Sequence, residues 1–252
     1  MLPCASLADL PEASAPRAGH PSADIWWWPY RTQDDWNRIR QTLAVDEQTR
    51  ADRFHFSKDA TAFMAGRYLQ RTVLSAYSAI PAPALIIATG TNGKPYLADQ
   101  AGGENITFNL SNTDGLAVFI ISRNCSAVGI DVETRSALLE PQTADLFCSP
   151  AELETLSTLQ GPERQSLLLA YWTLKESFLK ATGHGLTVAP HSLNVRLDPM
   201  TKAISVDSAL AADGADWHHR LLHSASNHLI AISTRSDRAD LMLRQHRLPD
   251  PH

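Results

Sequence analysis

"SNTDGLAVFIIS", residues 111–122, is a polar turn running into an apolar strand, and "SASNHLIAIST", residues 224–234, repeats that pattern late in the chain. Ser, Asn, Asp and Gly provide the turn chemistry, and each apolar run has the length of a single strand. The neighbouring segments match as well. "ITFNL" (106–110) and "HRLLH" (219–223) precede the two turns, so each reads as a strand–turn–strand hairpin. A long helical stretch lies upstream of each hairpin. In residues 57–79, Phe63, Met64, Tyr68, Leu69, Val73, Leu74 and Tyr77 fall at helical spacing, with Ser57 read as the cap and Pro81 and Pro83 as the stop. In residues 163–182 a second helix is stopped by the glycines of "GHG". Loosely helical spacing over 34–50 precedes the first long helix. A capping-box start at Ser149, Pro150 and Glu152 precedes the second. Short strands are expected in "ALIIATG" (84–90), "SLNVRL" (192–197) and "AISV" (203–206). The order predicts an α+β fold of two similar subdomains, 24–123 and 124–252, after a loose Pro/Ala/Ser-rich lead-in at 1–23. A cleft between such halves is a usual place for a ligand.

The chain has 252 residues, 44% of them hydrophobic, and a net charge of −5, which suits a soluble protein with a sizeable core and argues against a nucleic-acid binder. Cys4, Cys125 and Cys148 have neither metal-type spacing nor an even number, so a reducing, cytoplasmic setting is expected. No apolar run reaches the length of a membrane span, and the N-terminus lacks the pattern of a signal peptide.

"SAVGIDVETR" (126–135) places Asp131 and Glu133 on one face of a strand, where like charges repel. Two readings stand: a strand leaving the core with its acids in water, or a Mg²⁺ site, since hard cations take oxygen ligands and often only one or two carboxylates. Gly129 permits close backbone approach beside them. In "YWTLKESFLKATGHG" (171–185), Glu176 and Lys180 are four apart on a helix. That is an exposed ion pair, or, with Lys175, the charge set of a phosphate-and-metal site on an otherwise apolar helix. The turns "NGKPYL" (92–97) and "FNLSNTDG" (108–115) are either plain turns or anion cradles.

Taken in order, "NGKPYL", "FNLSNT", "VGIDVE" and "WTLKESFLKATGHGL" resemble the motif set of the Sfp-type 4′-phosphopantetheinyl transferases, and residues 50–75 look like that family's region upstream of its GKP motif. The resemblance implies a fused pseudo-dimer holding coenzyme A and Mg²⁺, or Mn²⁺, in its cleft. The implied reaction moves phosphopantetheine onto a serine of an apo acyl or peptidyl carrier protein, and a monomer follows from the fusion. It implies Asp131, Glu133 and Glu176 as metal carboxylates, Glu176 also as base, and Lys180 at the leaving phosphate. It further implies coenzyme A contacts from Arg50, Arg71, Lys94, Pro95, Ser111, Asn112, Thr113 and Lys175. Asn112 stands where the family usually has histidine, so a charge on the phosphates is expected to be missing. By family position, the carrier is expected to dock around Leu138 to Phe147, unless those residues pack the core. The carrier itself stays open: fatty-acid, polyketide and nonribosomal peptide carriers all fit. Two other classes use similar residues. A Mg²⁺-dependent nuclease or phosphohydrolase calls for a broader basic face, and a non-catalytic binding relic has no need of the acids and lysine together.

Overall fold

The computed structural model describes residues 2–10, 22–98, 106–137, 139–198, 200–211, 216–237 and 241–251. The first half contains strand β2 (Ser22–Trp28), helices α1 (Trp36–Gln41), α2 (Val45–Ala51) and α3 (Ser57–Ser78), and strands β3 (Ile87–Thr89), β4 (Pro95–Leu97), β5 (Thr107–Thr113) and β6 (Leu116–Ser122). The second half repeats that order: β7 (Ala127–Thr134), α4 (Ala144–Phe147), α5 (Pro150–Ser157), α6 (Gly161–Thr182), β8 (Asn194–Leu197), β9 (Ile204–Asp207), β10 (Trp217–His223) and β11 (His228–Arg235). Helices α3 and α6 are both 22 residues long. In each half the second hairpin strand lies in the middle: β6 pairs antiparallel with β2 and β5, and β11 with β7 and β10. The two expected α/β subdomains are therefore present.

Alternation along β6 explains why it is apolar throughout. Ala117, Phe119 and Ile121 pack under α3, while Leu116, Val118 and Ile120 face the other sheet. On β7, Val128, Ile130 and Val132 join that central core, and the opposite face carries Gly129, Asp131 and Glu133. Helix α6 covers the second sheet with its own cluster around Leu174, Phe178 and Ala231. Each fully buried Leu, Ile or Phe contributes about 1.5–3 kcal/mol.

Three expectations need correction. The helical stretch over 34–50 is two helices, broken after Gln41 and restarted at Val45, where Glu47 accepts from the backbone N–H of Ala44 at 3.1 Å. Ser57 is the first residue of α3 and Phe56 occupies the cap position with no side-chain bond. Part of the lead-in has defined structure. β1 (Cys4–Ser6) pairs parallel with β10 in the second half, and Leu7 is buried in the central core; residues 11–21 lie outside the described residues. At the other end β12 (Met242–Arg247) pairs parallel with β2 in the first half, where Arg244 makes a buried bidentate bond to Asp24 at 2.6 and 2.8 Å. Each end of the chain thus adds a strand to the opposite half's sheet.

The repeat also explains two charged residues. Arg71 on α3 and Lys175 on α6 are both buried, and each is paired with the first-turn glutamate of the short helix before it, the one that accepts from the N-cap N–H. Arg71 meets Glu47 at 2.5 Å and donates to the carbonyls of Ala82 and Leu85. Lys175 meets Glu152 at 2.6 Å and donates to the carbonyls of Phe147 and Pro190. The other oxygen of Glu152 accepts from Val195 N–H at 2.7 Å. Both cations were expected to contact coenzyme A. Burial and internal partners commit them to holding short helix, long helix and following loop together.

Removing one partner of a buried ion pair leaves the other charge stranded, at a cost of about 3–5 kcal/mol. Lys175→Met is expected to lose that much stability in urea unfolding, and a loss under about 1 kcal/mol would contradict the structural role.

Candidate active site

β5 and β7 lie edge to edge where the halves meet, yet no backbone ladder joins them. Side chains of β5 take the place of carbonyls. Ile130 N–H donates to Asn109 Oδ1 at 2.9 Å, and Val132 N–H donates to Ser111 Oγ at 3.3 Å. Ser111 Oγ in turn donates to Asp131 Oδ1 at 3.0 Å. The seam therefore carries the site: one hydroxyl holds the strand edge and a buried carboxylate together.

Helix α6 supplies the opposite wall. A Cβ on Gly129 would fall on the carbonyl oxygen of Ser177 and within 2.5 Å of the Ala181 nitrogen, so only glycine allows this approach. Lys180 then reaches Asp131 Oδ1 at 2.5 Å and Ser111 Oγ at 3.1 Å. Glu133 accepts from Trp172 Nε1 at 3.2 Å, and Trp172 rests edge-on against Phe147. Burial, and then the charge of Asp131, push the carboxyls of Glu133 and Glu176 above their ordinary range, while Lys180 pulls both back. Three carboxylates thus share the field of one close cation. Asp131 Oδ2 is buried and accepts no hydrogen bond. An unused carboxylate oxygen beside two crowded acids has the donor chemistry of a hard divalent cation. Among the described residues no three His, Cys, Asp or Glu side chains stand as a ready-made cage, which fits an ion that takes part of its shell from water and substrate phosphates.

The other expected contacts divide. Asp131, Glu133, Glu176, Lys180 and Ser111 converge. Thr113 lies at the same end of the seam, 3.5 Å from Thr134 hydroxyl to hydroxyl. Asn112 is exposed, and its Oδ1 would lie 3.0 Å from a Cβ on Gly66 of α3. Lys94 crosses from the first half and donates to the carbonyls of Ala181 at 2.6 Å and Val128 at 3.2 Å. Burial lowers its ammonium to about 8, and its position suits the negative end of α6. Lys94 and Pro95 line a cavity of about 470 Å³ with Ala181, Thr182 and Trp217. Arg50 is exposed on α2 with its guanidinium 5.1 Å from the centre of the Phe63 ring, and Arg67 stands 5.4 Å from the same ring. Arg71 and Lys175 do not join the site. In the docking segment, Ala144 and Phe147 are core residues, Leu146 is 71% exposed, and Leu138 lies outside the described residues. Sequence reading missed Asn109 and Trp172. The period-two spacing of Asn109 and Ser111, matching that of Asp131 and Glu133, was the available signal for the first; Trp172, four before Glu176, was the signal for the second.

Comparison with known proteins gives the family. A family model described as the 4′-phosphopantetheinyl transferase superfamily matches residues 127–233, and one described as 4′-phosphopantetheinyl transferase, N-terminal, matches residues 26–124. The 4′-phosphopantetheinyl transferase HetI of Nostoc sp. is 36% identical over 154 residues, 59% of this chain and 62% of HetI. The L-aminoadipate-semialdehyde dehydrogenase-phosphopantetheinyl transferase of Mus musculus is 26% identical over 224 residues, 83% of this chain and 72% of that protein. A holo-(acyl-carrier-protein) synthase of Bacillus anthracis, solved with CoA (3′,5′-ADP), overlaps 45% of this chain and 99% of its own at 18% identity and a TM-score of 0.39. The two family matches meet at the seam that holds the carboxylates, and this chain belongs to the 4′-phosphopantetheinyl transferase superfamily.

Proposed function

We propose that this protein transfers the 4′-phosphopantetheine group of coenzyme A to a serine of an apo acyl or peptidyl carrier protein. The bond formed joins the serine Oγ to the pantetheine-side phosphorus. The bond broken joins that phosphorus to the bridging oxygen of the pyrophosphate, and adenosine 3′,5′-bisphosphate leaves. The observation that carries this reading is the cluster of Asp131, Glu133, Glu176 and Lys180 around the free Asp131 Oδ2.

Glu176 takes the serine proton. Its carboxylate accepts no hydrogen bond from another described side chain, and burial with the neighbouring Asp131 raises its proton affinity in the free protein. Lys180 is 28% exposed at its side chain, so its ammonium can meet the charge that develops on the leaving phosphate. Beyond Ser111, whose hydroxyl proton is held by Asp131, Thr113 and Asn112 offer hydroxyl and amide donors to phosphate oxygens. Asp131, Glu133 and Glu176 are the residues that would hold Mg²⁺ or Mn²⁺, whose contribution is to withdraw charge from a pyrophosphate. The cavity beside Lys94 and Pro95 is assigned to the adenine end, and Arg50, exposed on α2, is the basic group assigned to the 3′-phosphate. One chain supplies both halves of the cleft, so a monomer carries a complete site. No described helix is long and apolar enough to cross a membrane; a cytoplasmic setting, where carrier proteins and coenzyme A meet, belongs to this proposal.

Incubation with coenzyme A, Mg²⁺ and an apo carrier should add the mass of phosphopantetheine to the carrier, and Glu176→Gln should slow the transfer by about 10²–10⁴-fold. Wild-type rates from the Gln variant would remove Glu176 from the role of base. No mass gain on any acyl or peptidyl carrier would refute the transferase. The neutral Asn112 predicts a second result. Asn112→His should raise kcat/KM toward the acid side of a pH 5.5–8 series, because an imidazole near its ordinary value of about 6.5 gains charge there. Superimposable profiles would show that position 112 does not meet phosphate.

A further inference from the structure

The two hairpin turns that repeat in the sequence, residues 111–115 and 224–227, meet at the Thr113 end of the seam. His228, the first residue of β11, donates from Nε2 to the carbonyl of Asp114 at 2.9 Å. A carbonyl only accepts, so Nε2 carries the proton. Nδ1 of the neutral ring then accepts from the hydroxyl of Ser226 at 3.0 Å. Ser226 lies 3.0 Å from the hydroxyl of Ser224, which accepts from the His228 N–H at 3.2 Å. The ring is buried, and the second turn sets both its direction and its tautomer.

The first turn depends on contacts of this kind. Thr113 and Leu116 pair across a two-residue loop, Asp114–Gly115, with Gly115 at a φ of +75°. Its own half holds it through Tyr30, whose hydroxyl donates to the carbonyl of Thr113 at 2.7 Å. Toward the second half no backbone ladder crosses from β5 to β7. Asn109 and Ser111 bridge that gap by side chain. Past Ser111 the bridge continues as Thr113 against Thr134 and Asp114 against His228. His228 is the cross-strand partner of Thr134, which directly follows Glu133. A bond here therefore sets where the donors of Asn112 and Thr113 stand relative to carboxylates carried by β7 and α6.

We infer that His228 is a positioning residue for coenzyme A, holding the donor-bearing turn of the first half against the carboxylate-bearing second half. This rests on the transferase reading above. Position 112 carries no charge in this chain, so the turn offers phosphate only hydroxyl and amide donors. Their strength depends on direction, which a fixed turn supplies. Such donors meet phosphate alike before and during transfer, so His228 governs affinity rather than the chemical step.

Titration calorimetry with coenzyme A and Mg²⁺, beside steady-state transfer to an apo carrier, tests this. His228→Ala should bind coenzyme A about tenfold more weakly and raise its KM in step, with kcat within about threefold of wild type. His228→Gln keeps an N–H donor near the place of Nε2 and should bind within about threefold of wild type. In a background of Asn112→Ala and Thr113→Val, which removes the donors of the turn, His228→Ala should cost nothing further, because residues that act through one another are not additive. Wild-type affinity in His228→Ala, equal weakening by Gln and Ala, or the full tenfold loss persisting in that background would each overturn the role of His228 alone. A wild type that neither binds coenzyme A nor modifies any carrier would overturn the transferase reading and this role with it.

Discussion

How closely α6 lies on β7 determines everything at the site. Gly129 has no side chain, so the backbone at Ser177 and Ala181 rests on the strand. Two periodicities then act together. The next positions on that face of β7 are Asp131 and Glu133, and the turns of α6 above them carry Lys180 and Glu176. The contact also excludes water, which is why burial is the largest influence raising Glu133 and Glu176. Carboxylates held this way repel one another in the free protein, and a divalent cation relieves that repulsion.

The same frame occurs twice and carries the chemistry once. Glu47–Arg71 and Glu152–Lys175 occupy matching places, each joining a short helix to a long one. The residue after Arg71 is Thr72, whereas the residue after Lys175 is Glu176. Only the second long helix therefore brings an acid to its sheet at that point. The edge contact between β5 and β7 adds Ser111 from the first half, so the site needs both halves although its charges come from one.

Local patterns were legible in the sequence. The hairpins, the long helices and the face shared by Asp131 and Glu133 follow from periods of two and 3.6 residues and from turn chemistry. The repeat order supported two halves, and the ordered motifs supported the family. What escaped was set by distant partners. Nothing near Lys175 reveals that Glu152 and two carbonyls enclose it, and the same holds for Arg71. Lys94 reads as a turn lysine, yet it spans the seam to the end of α6. The pairing of β1 with β10 and of β12 with β2 joins segments roughly two hundred residues apart, which no local pattern encodes.

We propose that Asp131 and Glu176 act as one cation site across the Gly129 contact. Electron paramagnetic resonance can count free Mn²⁺ against the protein in the presence of coenzyme A. Asp131→Asn keeps the shape and removes the charge, and the account predicts a loss of Mn²⁺ affinity of at least about tenfold, or 1.4 kcal/mol. Wild-type Mn²⁺ binding by Asp131→Asn would contradict it.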